Sequence, residues 1–100
     1  MENRGIVVIG AGPAGLAAAI KLRRLGAEDV LVIERENETG GILRQCIHDG
    51  FGLERFGKSI SGPEYAALLK TEAEELGIEC LTKTAVLGIG KDRTITAASP

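Results

Sequence analysis

The sequence predicts an α/β fold in which three parallel strands form half of a doubly wound sheet and an antiparallel hairpin follows them. A β-branched run over residues 6–9 leads directly into three spaced glycines within residues 10–15. An alanine-rich stretch of helical character comes next, and a second apolar run over residues 30–34 ends on an acid. Strand, helix and strand together occupy about thirty residues, which is the length of one βαβ unit.

The first βαβ unit is delimited by residues with strong positional preferences. The first strand is expected over residues 5–9, and its continuous β-branched composition predicts a parallel strand buried on both faces. The first helix should begin near Pro13, whose fixed φ suits a first turn, and end near Leu25, with Gly26 as its C-terminal stop. The second strand is expected over residues 30–34.

Residues 40–57 show neither the hydrophobic period of a helix nor that of a strand. This stretch is rich in glycine and contains Cys46, His48 and Asp49, and we expect an ordered loop with one short helical turn. Loops of this length are uncommon in compact domains and often carry function.

A second helix is expected from about residue 62. Ser61 and Glu64 have the spacing of a capping box, Pro63 lies in the first turn, and Gly77 ends the helix. Apolar residues recur at helical spacing on one face. They are Tyr65, Leu68, Leu69, Ala73 and Leu76.

From residue 78 onward, the sequence predicts only strands and their connections. Residues 78–81 are expected to form the third parallel strand, and residues 85–89 and 94–98 flank a turn at 90–92 that is typical of a hairpin. The polarity of this hairpin suits an antiparallel addition rather than the central sheet. Three strands and two helices make only half of a doubly wound fold, so we expect residues 1–100 to be the N-terminal segment of a longer protein.

Composition excludes several classes of function. The 100 residues are 44% hydrophobic and 26% charged, with a net charge of −2 and no basic patch, so neither a nucleic acid nor a membrane surface is an expected partner. Cys46 and Cys80 form no CxxC pair, and one histidine cannot complete a zinc set with them. No metal site is expected, and sparse thiols without an export signal predict a cytoplasmic protein.

The spaced glycines match the dinucleotide-binding fingerprint in its full context. Gly10 allows a tight turn, Gly12 lets the backbone approach a pyrophosphate, and Gly15 lets the helix pack closely on the strand. Glu34 ends the second strand, where it can accept hydrogen bonds from a ribose diol and repel a 2′-phosphate. A GxGxxG motif can occur by chance, and Glu34 could be an ordinary acid at the end of a strand. The combined spacing of strand, glycines, helix and acid favours nucleotide binding, and the carboxylate disfavours NADP at this site.

The same residues resemble a known group of flavoproteins. Residues 7–19, with Glu34-Arg35 and Gly40-Gly41, are similar to the FAD domain of the pyridine nucleotide-disulfide oxidoreductase superfamily. Within this superfamily, residues 40–52 resemble the FAD-dependent, NAD(P)-linked oxidoreductases that are related to small subunits of amino-acid and amine dehydrogenases. These oxidoreductases are often found beside glycerol-3-phosphate dehydrogenase in bacteria. The resemblance extends over residues 5–98.

The resemblance implies that FAD is the cofactor, with any NAD(P) site lying outside this chain. Its pyrophosphate would lie at residues 10–15, its adenosine near Glu34 and Arg35, and its extended middle portion along Gly40 and Gly41. By their chemistry alone, the paired glycines are as consistent with a simple turn as with close backbone approach. The candidate cofactor-binding residues are Gly10, Ala11, Gly12, Pro13, Ala14, Gly15, Glu34, Arg35, Gly40, Gly41, Ile42, Gln45 and His48.

Cys46 allows two interpretations. Disulfide-reducing members of the superfamily carry two redox cysteines a few residues apart after the paired glycines, whereas this region has Cys46 alone. Cys46 and His48 could pair as nucleophile and base, but a packed thiol beside a hydrogen-bonding histidine is favoured. Gln45 and His48 could equally contact cofactor phosphate or ribityl hydroxyls, and Cys80 is expected in the core.

The sequence therefore predicts the FAD-binding segment of an oxidoreductase that transfers a hydride between flavin and NAD(P)H or a small organic substrate. No residue is assigned as a catalytic acid or base, since the flavin carries the chemistry. Two alternatives stay open: a nucleotide-binding module without turnover, and a subunit that needs a partner subunit or missing C-terminal domains.

Overall fold

The computed structural model describes residues 2–41 and 61–100. Within these ranges the α-helices are α1, Pro13–Arg24, and α2, Gly62–Glu75. The strands of the same ranges are β1, Ile6–Ile9; β2, Val30–Ile33; β3, Glu79–Leu81; β4, Ala85–Ile89; and β5, Ile95–Ala98. The predicted fold class is confirmed: β1, β2 and β3 form a parallel sheet, and β4 pairs with β5 in a separate antiparallel one.

Strand β2 is the centre of the parallel sheet. Its register places Val30 opposite Ile6 of β1 and Val32 opposite Cys80 of β3, so β2 is paired with a parallel strand on each side. All four residues of β2 are buried, as expected for a central strand with side chains covered on both faces.

Strand β1 differs from its prediction. We expected it to be buried on both faces, but Ile6, Val7 and Val8 are only partly buried and Ile9 is 48% exposed. The reason is that, within the described ranges, β1 pairs with β2 alone and so lies at the edge of the sheet. A β-branched run reports a preference for extended backbone, and how deeply a strand is buried depends on neighbours distant in sequence.

The core lies between the sheet and the two helices. Its largest fully buried side chains are Leu16, Ile20, Leu69 and Val32. On α2, Leu69 and Ala73 are buried as the predicted stripe requires, while Tyr65 and Leu76 pack against the core from its margin.

The helix ends follow the sequence signals closely. Gly26 and Gly77, just past α1 and α2, have φ of +108° and +74°. Ser61 caps α2, where its Oγ accepts a hydrogen bond from the Glu64 amide at 3.3 Å. The return bond of a capping box is replaced by a bond from the Ser61 hydroxyl to the Glu64 carboxylate at 3.2 Å.

Arg4 joins the amino ends of the three parallel strands. Its Nε donates to Asp29 at 2.8 Å before β2, and its Nη1 donates to Glu79 at 3.1 Å on β3. The second Asp29 oxygen accepts the Gly5 amide at 2.7 Å. These bonds lie at the end of the sheet opposite the glycine loop, which follows the carboxyl end of β1.

Candidate functional site

The loop from β1 to α1, residues 10–12, is the centre of the candidate site. Gly10 has a φ of +99°, a conformation that side chains rarely adopt, and its amide donates to the Ile33 carbonyl at 2.8 Å. The chain therefore turns sharply at the carboxyl end of β1 while it stays bonded to β2. Ligands of open α/β sheets bind at this edge.

Gly15 brings α1 against the loop. A Cβ placed on Gly15 would lie 1.8 Å from the Gly10 carbonyl oxygen, a distance that real contacts exclude. The glycine is thus required by close packing of helix on loop, the role that its spacing predicted.

Gly12 borders open space at the start of α1. It is the N-cap residue in extended conformation, no side chain caps the helix, and a Cβ at Gly12 would meet nothing within 4 Å. Because the helix begins at Pro13, the amides of Ala14 and Gly15 have no acceptor within it. Open space beside amides that have no acceptor within the helix, at its positive terminus, fits a diphosphate.

Glu34 lies directly after β2 and reaches back to the loop. It is 8% exposed, its Oε1 accepts the Ala11 amide at 2.8 Å, and its Oε2 accepts the Glu36 amide at 2.8 Å. Ala11 itself is fully buried. The sequence placed Glu34 beside a ribose, whereas its contact with Ala11 was not predicted.

The predicted glycine pair packs against the same loop. The Gly40 amide donates to the Ala11 carbonyl at 2.6 Å, and both Gly40 and Gly41 have positive φ, +108° and +58°. A Cβ on Gly41 would lie 3.1 Å from the Gly12 Cα. Close approach and positive φ, one of the two interpretations left open by the sequence, therefore describe this pair.

A groove of about 640 Å³ lies beyond Glu34, at the carboxyl ends of β2 and β3. It is lined by Arg35, Asn37, Lys83 and Ala85 and by residues 98–100. The Arg35 side chain is 80% exposed, and its Nε lies 3.7 Å from the Glu36 carboxylate. Arg35 thus borders this groove and directly follows Glu34, the residue that contacts the glycine loop.

The segment after β3 closes one wall of this groove. Lys83 has a φ of +52° and donates its amide to the Glu36 carbonyl at 2.9 Å, and the Thr84 amide donates to the Glu34 carbonyl at 3.0 Å. Lys83 is exposed and was not among the predicted site residues. The signal that could have found it is its place directly after a parallel strand, on the ligand-binding edge of the sheet.

Cys80 is a free thiol on β3 that packs against the core from its margin. It lines a cavity of about 330 Å³ together with Leu16 and Thr39, and the Thr39 hydroxyl is buried without a partner among the described residues. Burial raises the pKa of the Cys80 thiol, and the Glu74 and Glu79 carboxylates raise it further. A thiol held in this neutral form is a poor nucleophile.

The structure brings together Gly10, Ala11, Gly12, Gly15, Glu34, Gly40 and Gly41, with Pro13 and Ala14 in the adjoining first turn. Ile42, Gln45, Cys46 and His48, with the rest of the predicted loop over 42–57, lie outside the described residues. In the parts described, no cluster of three metal-ligating side chains occurs, and neither helix is long and apolar enough to cross a membrane.

Comparison with known proteins agrees with this geometry. The family of NAD(P)-binding Rossmann-like domains matches residues 8–76, more than half of the chain. This match includes the glycine loop, Glu34 and α2.

Three relatives illustrate the range of similar proteins. The sarcosine oxidase alpha subunit of Corynebacterium sp. strain P-1 is 38% identical over 83% of this chain. The glutamate synthase [NADPH] small chain of Mycobacterium tuberculosis is 50% identical over 55% of it. The crystal structure of Lactococcus lactis thioredoxin reductase superposes on 95% of the chain with a TM-score of 0.77 and 29% identity.

Each of these relatives is far longer than the region of similarity. The chain spans 8% of the sarcosine oxidase subunit, 11% of the glutamate synthase chain and 31% of the thioredoxin reductase. The similarity therefore identifies a shared nucleotide-binding domain within larger redox proteins.

Proposed function

The chain belongs to the family of NAD(P)-binding Rossmann-like domains, and we propose that it is the FAD-binding segment of a flavin-dependent oxidoreductase. In the complete protein, a hydride would pass between FAD and NAD(P)H or a small organic substrate. The observation that carries this proposal is the open space at Gly12 beside the uncapped start of α1.

The proposal assigns the diphosphate to the loop and to the first turn of α1. Backbone amides with no acceptor in the helix donate to phosphate oxygens, and the N-terminal end of the helix dipole favours their negative charge. Gly12 contributes by lacking a side chain, because any Cβ there would occupy the space that the diphosphate needs.

Glu34 is assigned to the ribose of the adenosine half. Each carboxylate oxygen accepts one backbone amide, which leaves further lone pairs for hydroxyl donors. Its charge also disfavours a 2′-phosphate, so FAD or NAD suits this position better than NADP. The groove lined by Arg35 and Lys83 lies beyond Glu34, where the adenine end of the nucleotide would continue.

FAD is favoured over NAD by the flavoprotein pattern that follows Glu34. The glycine pair of that pattern lies against Gly12 and Ala11, and we assign it to the extended middle portion of FAD. When bound, the flavin supplies hydride transfer, and the residues of this chain bind and orient it. Gln45 and His48 stay proposed contacts on the basis of the resemblance alone.

The substrate, partner and cellular location of the complete protein belong to the same proposal. An amine or amino-acid substrate is suggested by relatives named sarcosine oxidase and glutamate synthase. Both names are those of subunits, which supports a partner subunit here, and gel filtration of the native complex would test it. The sparse cysteines support a cytoplasmic location, which cell fractionation would test.

The proposal is tested by titrating the complete wild-type protein and its Gly12→Val variant with FAD and, separately, with NAD. A side chain at Gly12 enters open space at a φ of −73°, so the variant should fold and yet lose at least about a hundredfold in FAD affinity through exclusion of the diphosphate. Gly88→Val is the matched control, since a Cβ at Gly88 in β4 also meets nothing within 4 Å.

Three outcomes separate the alternatives. If wild type and Gly88→Val bind FAD and Gly12→Val does not, the flavin assignment is supported. If wild type binds NAD but not FAD, and Gly12→Val loses the NAD binding, a nicotinamide site is supported instead. Unchanged affinities in a folded Gly12→Val protein would overturn the assignment of the diphosphate to this loop.

A further inference from the structure

The carboxylate of Glu34 is bonded to the glycine loop as well as placed beside the ribose position. We infer that Glu34 is a positioning residue for the phosphate loop, in addition to its proposed role as a ribose acceptor. Its two bonds from the Ala11 and Glu36 amides, here named the Glu34 bridge, fix the loop in the shape that receives the diphosphate. This inference rests on the proposed nucleotide-binding function.

The Glu34 bridge holds the first of two consecutive peptides at Ala11, and each of the two is hydrogen-bonded. The Ala11 amide donates to Glu34 Oε1 at 2.8 Å, and the Ala11 carbonyl accepts the Gly40 amide at 2.6 Å. The Ala11 side chain is fully buried. Rotation of either peptide would break its own bond, so the orientation of the loop between Gly10 and Gly12 depends on both bonds.

The Glu34 backbone, which carries the carboxylate, is bonded to β3 and to the segment that follows it. The Glu34 amide donates to the Leu81 carbonyl at 2.8 Å, and the Glu34 carbonyl accepts the Thr84 amide at 3.0 Å. At 8% exposure the side chain has little freedom to swing into solvent. A charged acceptor fixed in this way makes stronger hydrogen bonds than a neutral one.

Removal of the carboxylate would leave a buried amide without its partner. The Ala11 amide would then gain a hydrogen bond only by rotating, which would displace Gly12 and the entrance to α1. The diphosphate site would lose its shape even for a ligand that has no ribose hydroxyls. This consequence distinguishes a positioning role from ribose recognition alone.

The test compares ADP with 2′,3′-dideoxy-ADP, which keeps the diphosphate but lacks the ribose diol, by calorimetry on the FAD-free complete protein. In Glu34→Ala, affinity for 2′,3′-dideoxy-ADP should fall about tenfold, the factor expected for one charge-assisted hydrogen bond. Affinity for ADP should fall about a hundredfold, since the ribose contacts are lost too. Glu75→Ala removes an exposed carboxylate at the end of α2, outside the site, and should leave both affinities unchanged.

A conservative variant and a direct structural readout protect the test against misfolding. Glu34→Gln keeps one oxygen that can accept the Ala11 amide but places a donor beside the Glu36 amide, so affinity for 2′,3′-dideoxy-ADP should fall less than in Glu34→Ala. In the ligand-free protein, Ala11 amide exchange measured by NMR should accelerate in Glu34→Ala, while the Val32 amide inside β2 stays protected.

The outcomes separate this inference from the proposed function. If Glu34→Ala weakens ADP but leaves 2′,3′-dideoxy-ADP and Ala11 exchange at wild-type values, Glu34 acts on the ribose alone and the positioning role is wrong. If the wild-type protein binds neither FAD nor either ADP ligand, the proposed function fails and the inference fails with it.

Discussion

Single residues of the glycine loop have separable roles in this structure. Gly10 is needed for its positive φ, Gly15 for the absence of an atom at a packed contact, and Gly12 for the open space beside it. The spacing of the three glycines predicted these roles, because each follows from backbone geometry that is local in sequence. The Glu34 bridge was not predictable in this way, since Ala11 and Glu34 meet only after β1 and β2 have paired.

The difference between Gly15 and Gly12 leads to a prediction on stability. Gly15→Ala places a Cβ 1.8 Å from the Gly10 carbonyl and should lower the free energy of unfolding by about 3 kcal/mol, at the upper end of overpacking costs. Gly12→Ala meets nothing within 4 Å and should cost about 1 kcal/mol or less, the loss expected at an N-cap. Denaturant unfolding of both variants measures this contrast, and equal stabilities would contradict the packing role of Gly15.

At the scale of elements, strand and helix types were predictable, while their exposure was not. The stripe on α2 and its bounds at Ser61 and Gly77 are local signals, and the structure agrees with them. The partial burial of β1 depends on which strands flank it. The positive φ of Lys83 also escaped prediction, because no glycine marks that turn and its conformation follows from bonds to residues after β2.

The amino ends of the parallel strands predict a dependence of stability on pH. The Gly5 amide and then the Arg4 guanidinium lower the pKa of Asp29 from its ordinary value. A carboxyl whose folded pKa is below its unfolded pKa stabilises the fold above the unfolded pKa, about 3.9, and loses that contribution as pH falls through the folded value. The difference in unfolding free energy between wild type and Asp29→Asn should therefore be present at pH 7 and shrink below about pH 4.

Urea unfolding at several pH values measures this difference, with Glu28→Gln as a control for charge at the adjacent exposed acid. A gap between wild type and Asp29→Asn that persists unchanged to the acid limit would contradict the assignment. It would mean that Asp29 stabilises the strand ends by packing rather than by its charged hydrogen bonds.

For the whole molecule, the sequence predicted an α/β half-domain with an appended hairpin, and the structure and family membership agree. The site could be predicted as far as the glycine fingerprint and Glu34 extend. The groove between Arg35 and Lys83 could not, because it forms where the segments after β2 and β3 meet. The chain spans 31% of the thioredoxin reductase whose structure it resembles.

Whether this chain supplies the flavin site of an oxidoreductase is tested by the absorbance spectrum of the complete purified protein. The spectrum is recorded during anaerobic addition of NADH, NADPH or an amine substrate. We predict a bound flavin spectrum that bleaches when one of these donors is added, as hydride reaches the cofactor. A folded protein that carries no flavin, takes up none when FAD is supplied, and instead binds NAD at the glycine loop would contradict the account.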